Sequence, residues 1–174
     1  MKNRKLLDAQ QAYVAELTKN CTHALTLQTN LHTCNASAGG MDAKLVAAQQ
    51  AMRSFIPKLN RLLTGNGYKR NRAFLPIIVT ALEGTLNTYD KNKTLHFHLA
   101  LGNFDENRLT VEMLEKLIQQ WIGTGIGTED IKLHTLRGTS DNGWGGYMHK
   151  EAWAGNTDCI DLSNTQLPAH LLVN

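Results

Sequence analysis

Two histidines one residue apart, His96 and His98, fall in the run Thr94-Leu-His-Phe-His-Leu-Ala-Leu-Gly102. Successive side chains of a strand point to opposite faces, so Leu95, Phe97, Leu99 and Leu101 make an apolar face and the two histidines share the other. Paired imidazoles offer two nitrogen lone pairs, a donor pattern suited to a divalent metal ion. A nearby carboxylate would complete a two-histidine, one-carboxylate group that leaves metal positions open for a substrate oxygen. Glu83 is the candidate. It ends the β-branched run Phe74–Glu83, and the polar stretch Asn87–Lys93 reads as a hairpin loop that would pair the two strands. Asp105 and Glu106, just after the histidine strand, are the alternatives. Farther on, Tyr147 and Lys150 stand three residues apart, a spacing that shares one helix face. A phenol, with a pKa of about 10, needs help to act as a nucleophile at neutral pH, and a lysine can give charge or help move the proton.

These residues need elements to hold them. Residues 3–20 have helical spacing, and Thr22–Asn30 alternates like a half-buried strand. Asp42 can cap a helix over Ala43–Leu63, with Pro57 predicting a kink or break near Ile56. The strands ending at Glu83 and Gly102 follow, then an amphipathic helix over Val111–Trp121 with Thr110 as its cap, and a strand over Ile131–Arg137. Gly123-x-Gly125-x-Gly127 follows a helix and has no Gly-Lys-Ser/Thr ending, so it reads as a helix stop and turn. Ser140–Gly143 offers caps for one helix through Trp144, Tyr147 and Lys150 to about Trp153, closed by Gly155. Residues 158–174 read as a tail with a short strand and a loose end.

The order is a helix, then β-α-β-β-α-β, then a short helix. That is an α+β fold with a ferredoxin-like antiparallel sheet and helices on one face. His96 and His98 are expected on the face left free. The predicted division is an N-terminal helix over 1–21, one functional domain over 22–157 and a tail over 158–174.

With 174 residues and 42% hydrophobic content, the chain can build one domain around a core. Its net charge of +3 is small, but the distribution is uneven. No acidic residue falls between Asp42 and Glu83, whereas Lys44, Arg53, Lys58, Arg61, Lys69, Arg70 and Arg72 do. Such a stripe suits a phosphate backbone or a solvated helix face. Cys21, Cys34 and Cys159 show neither disulfide nor zinc-ribbon spacing, and the basic start Met1–Lys5 lacks the apolar run of a signal peptide, so a reducing cytoplasm is expected. His23, His32, His134, His149 and His170 have no ligand spacing.

The series of the Ala24-Leu-Thr-Leu-Gln28 strand, Glu83, His96-Phe-His98 and Tyr147-x-x-Lys150 resembles the HUH endonuclease superfamily over about residues 22–153, most closely its single-tyrosine rolling-circle replication initiators. The resemblance implies metal-dependent, sequence-specific nicking and rejoining of single-stranded DNA or a DNA hairpin through a 5′-phosphotyrosine. Tyr147 would be the nucleophile, Lys150 its partner, and His96, His98 and Glu83 the ligands of Mn²⁺ or Mg²⁺. Lys69, Arg70, Arg72 and Trp144 are expected at the DNA, with Trp144 stacking a base. No ATP-binding loop is present, so unwinding would fall to a separate helicase, in a bacterial host and without a membrane. A single-tyrosine transposase, a relaxase and a non-catalytic DNA-binding domain are the alternatives. A cupin-like metalloenzyme also uses His-x-His, but it needs a glutamate where Gly102 and Asn103 stand, and a barrel that the helices oppose.

Overall fold

The computed structural model describes residues 2–86, 89–136 and 143–171. Its frame is a four-stranded antiparallel sheet of β1 (Cys21–His32), β2 (Ile77–Glu83), β3 (Thr94–Gly102) and β4 (Gly127–Thr135), in the order β2-β3-β1-β4. This is the expected α+β arrangement of two interleaved β-α-β halves. The connecting helices α2 (Ala38–Thr64) and α4 (Val111–Ile122) cover one face. There Leu25 and Leu27 of β1 and Leu95, Phe97 and Leu99 of β3 meet Met52, Phe55 and Leu59 of α2 and Leu117 and Trp121 of α4, all at or near zero exposure. Burying each such side chain favours folding by about 1.5–3 kcal/mol. The indole N–H of Trp121 donates to the Gln28 carbonyl at 2.8 Å, so the largest core side chain leaves no polar group stranded.

Several local expectations change. Helix α2 starts earlier, at the Ser37 cap, whose hydroxyl accepts from the Gly40 N–H at 3.2 Å, and Asp42 lies inside it. The helix also runs through Pro57 without a break. Pro57 and Arg53 both lie on the exposed side, where the Arg53 carbonyl that loses its helical partner can be hydrated. Thr110 caps α4 as expected, accepting from the Met113 N–H at 3.2 Å, and Gly123 ends it. Strand β2 begins only at Ile77, because Arg72–Phe74 form a 3-10 turn ahead of Pro76. Strand β4 begins earlier than expected, at Gly127, and its Arg137 end lies outside the described residues, as do the Ser140 cap and Asn87 of the hairpin loop.

The second face is only partly free. The N-terminal helix α1 (Lys2–Thr18) and α5 (Gly143–Met148) lie over it, and Leu17, Trp144 and Met148 pack on Ile77, Val79, Ala81 and Ala100. Gly145 allows the close approach of α5 to α1: a Cβ there would lie 3.0 Å from the Thr18 hydroxyl. The tail is not a loose end over its described part. Backbone hydrogen bonds Ile78 N–H to Gln166, Gln166 N–H to Ile78, Leu82 N–H to Cys159 and Asp161 N–H to Thr80 tie it to the outer edge of β2. An edge strand that would otherwise present free backbone groups is thereby covered. Among the described residues no helix is long and apolar enough to cross a membrane.

Candidate metal centre

Strand register builds the group. On the second face Glu83 of β2 stands directly opposite His96 of β3, and His98 stands opposite Ala81, one step diagonal to Glu83. Glu83 Oε2 lies 3.5 Å from His96 Nε2 and 3.2 Å from His98 Nε2. One donor atom from each of the three residues falls within 4.8 Å of the others. Two donors about 2.1 Å from one ion stand about 3.0 Å apart at a right angle and about 3.4 Å apart at the tetrahedral angle, so these spacings suit a shared cation.

The outward nitrogens fix how the rings face. His96 Nδ1 lies 3.2 Å from the Thr94 carbonyl, which can only accept, so Nδ1 donates there and Nε2 is the ring atom turned to Glu83. His98 Nδ1 is 3.0 Å from the Thr26 hydroxyl, across the β1–β3 register pair Thr26 and His98. That leaves His98 Nε2 turned the same way. His98 Nε2 and both Glu83 oxygens are buried without an aligned hydrogen bond. Lys150 Nζ, 2.6 Å from Glu83 Oε2, meets part of the carboxylate's charge, while His98 Nε2 beside it keeps no aligned partner. The three residues therefore fit a divalent ion as ligands, and their mixed nitrogen and oxygen donors do not by themselves choose which.

Burial pushes the Glu83 carboxyl up, but His96, His98 and Lys150 outweigh it and hold the pKa down to about 2. Burial pushes His98 below its ordinary value against the opposing pull of Glu83, so the ring is neutral and able to ligate at neutral pH. Burial would also lower Lys150, but Glu83 and then Tyr147 outweigh it and raise it, so the side chain stays an ammonium.

Tyr147 and Lys150 reach this group from the far end of the chain. They do not share one continuous helix: α5 ends at Met148, His149 breaks the path with φ −103° and ψ 5°, and α6 covers Lys150–Trp153. The pair still meets. Lys150 Nζ lies 3.6 Å from the centre of the Tyr147 ring and 2.6 Å from Glu83 Oε2, as an ion pair. The Tyr147 ring stands edge-on to His98, with centroids 4.9 Å apart, and the residue remains 44% exposed. Trp144 stacks on that same ring at 5.1 Å with the planes 17° apart, so one indole face is occupied by Tyr147. Beside His96 an open groove of about 410 Å³ runs along Gln28, Lys93, Thr94, Thr128 and Asp130.

The sheet does not bring every sequence candidate here. Lys69, Arg70 and Arg72 are exposed on α3 (Gly67–Arg70) and the turn before β2, whereas Glu83 is at the other end of that strand. Six residue steps at about 3.3 Å separate Ile77 from Glu83. Asp105 and Glu106 follow the Gly102 end of β3, remote from His96 at its start, and are not part of the group. Glu151 went unnoticed in the sequence: it is buried and accepts from the Gly84 N–H at 2.9 Å. His149 is fully buried with neither ring nitrogen bonded, although its spacing had marked it as ordinary.

Fold and site define an α+β protein whose antiparallel sheet carries a two-histidine, one-carboxylate group able to hold a metal ion, with a tyrosine and a lysine against it. Compared with protein-family models, curated proteins and solved structures, the chain matches none.

Proposed function

We propose that this protein is an HUH-type endonuclease of the replication-initiator kind, which nicks and rejoins single-stranded DNA through Tyr147. What supports the reading is the meeting of Tyr147 and Lys150 with Glu83, His96 and His98, from separate stretches of the sequence, at one partly exposed place. In the step proposed, the Tyr147 oxygen attacks the scissile phosphorus as the bond from phosphorus to the 3′-oxygen breaks. The phenol proton leaves to solvent, the departing 3′-oxygen takes one up, and a 5′-phosphotyrosine remains. No water is consumed, so the free 3′-hydroxyl can attack in reverse and rejoin the strand.

Lys150, held as an ammonium against the Tyr147 ring, favours the phenolate by charge rather than by taking its proton. Trp144 limits the ring to one plane. A divalent ion held by Glu83, His96 and His98 would supply positive charge to the phosphate oxygens. The proposed substrate is a single strand or a melted hairpin at a plasmid, phage or other mobile-element origin, with unwinding left to a helicase. The test is a denaturing gel of the wild type and Tyr147→Phe with a pool of labelled single-stranded oligonucleotides, in Mn²⁺ and in EDTA. A Mn²⁺-dependent covalent adduct, absent from Tyr147→Phe, is expected. DNA binding without any adduct would leave a non-catalytic DNA-binding domain instead.

A further inference from the structure

Residues 150 and 151 hold residues 83 and 84 as two consecutive pairs. Lys150 binds the Glu83 side chain at 2.6 Å, and Glu151 Oε1 accepts the Gly84 backbone N–H at 2.9 Å. The other Glu151 oxygen accepts from the Thr85 hydroxyl at 3.1 Å and from the Asn156 side-chain amide at 3.2 Å. Lys93, on the segment entering the histidine strand, lies 3.8 Å from Oε1. Glu151 is 6% exposed, so breaking these bonds strands a buried charge instead of handing it to water. Gly84 is where the chain leaves β2, with φ +101°, and a Cβ there would lie 2.3 Å from the Thr94 carbonyl. The exit from Glu83 thus has one path, and its amide is closed by a residue of the tyrosine-bearing segment.

We infer that Glu151 is a positioning residue, which sets Tyr147 and Lys150 against the metal-binding carboxylate by clamping their segment to the Gly84 turn. The inference rests on the nuclease reading for Tyr147, but its effect on Glu83 does not need that reading. Glu151 touches neither the rings of His96 and His98 nor the phenol, and acts through Lys150 and Gly84. Misplacement of a reacting group by about 1 Å can cost about 100-fold in rate. Disturbed support of a ligand typically weakens metal binding by about 10–100-fold.

The test compares wild type, Glu151→Ala and Glu151→Gln in two readouts, Mn²⁺ affinity by calorimetric titration and adduct formation at varied oligonucleotide concentration. Glu151→Ala should bind Mn²⁺ about 10-fold more weakly and form adduct about 100-fold more slowly at saturating DNA, with the half-saturating DNA concentration unchanged. Glu151→Gln keeps an oxygen for the Gly84 N–H and should restore most of both. Wild-type Mn²⁺ affinity and adduct rate in Glu151→Ala would overturn the inference, as would a Gln variant no better than Ala. Should Glu151→Ala fail to fold, Thr85→Val, which deletes one donor to Glu151, should lose part of both properties, and wild-type values there would overturn it. Absence of adduct from the wild type would refute the nuclease reading, while the Mn²⁺ titration would still decide for or against Glu151.

Discussion

Phe97 and His98 are neighbours on one strand, and their surroundings are opposites. Phe97 faces the helices, meets the edge of Trp121 at 5.9 Å between centroids and is wholly buried among apolar side chains. His98 faces the other way, is nearly as buried, and turns an unbonded nitrogen toward a buried carboxylate. The chain completes the first environment by itself. In the second it gathers Glu83, His96 and His98 around a place that a cation would satisfy. Burial alone therefore does not separate core from site; unmet polar atoms from several residues gathered at one buried place do.

That contrast can be broken by substitution. Phe97→Ala should lower unfolding free energy by about 3–5 kcal/mol in a denaturant titration, because it removes a buried ring and leaves a cavity. His98→Ala should cost distinctly less stability in metal-free buffer, yet weaken Mn²⁺ binding by at least about 100-fold in calorimetry. Equal stability losses with unchanged Mn²⁺ affinity would place both residues in the same kind of core. Thr26→Val removes the hydroxyl that orients His98 and should weaken Mn²⁺ by about 10-fold with little change in unfolding.

The smallest effect is on pH dependence. His98 is held below its ordinary pKa of about 6.5 by burial, so the unfolded chain takes up a proton there that the folded chain refuses. Stability should fall as pH drops below about 6.5. Glu83, lowered to about 2 in the folded chain, acts in the same direction. Its contribution is full above the ordinary carboxylate range and is lost as pH falls toward about 2. Urea midpoints that stay level from pH 7 to pH 3.5 would contradict both.

The period of two in Thr94–Gly102 and the polar hairpin stretch were enough to place Glu83 beside His96 and His98, because a hairpin's register follows from local sequence. Tyr-x-x-Lys named two residues that the fold brings against the group, although the helix it implied breaks at His149. Contacts between distant segments left no such trace. Glu151 meets Gly84 only once α1, α5 and the sheet have packed, and nothing near Glu151 in the sequence distinguishes it from a surface carboxylate. Likewise, the 158–171 segment joins the β2 edge through backbone atoms, which side-chain patterns do not encode. The acid-free run before Glu83 was visible, but the length of β2 puts its last basic cluster at the other end of the strand.

The measurement that tests the metal centre most directly is a Mn²⁺ titration of EDTA-stripped protein by calorimetry, beside the double variant His96→Ala with His98→Ala. One Mn²⁺ per wild-type chain, with binding lost in a double variant that still folds by circular dichroism, is the predicted result. A wild type that binds no divalent ion, or a double variant that binds Mn²⁺ as tightly as the wild type, would contradict it.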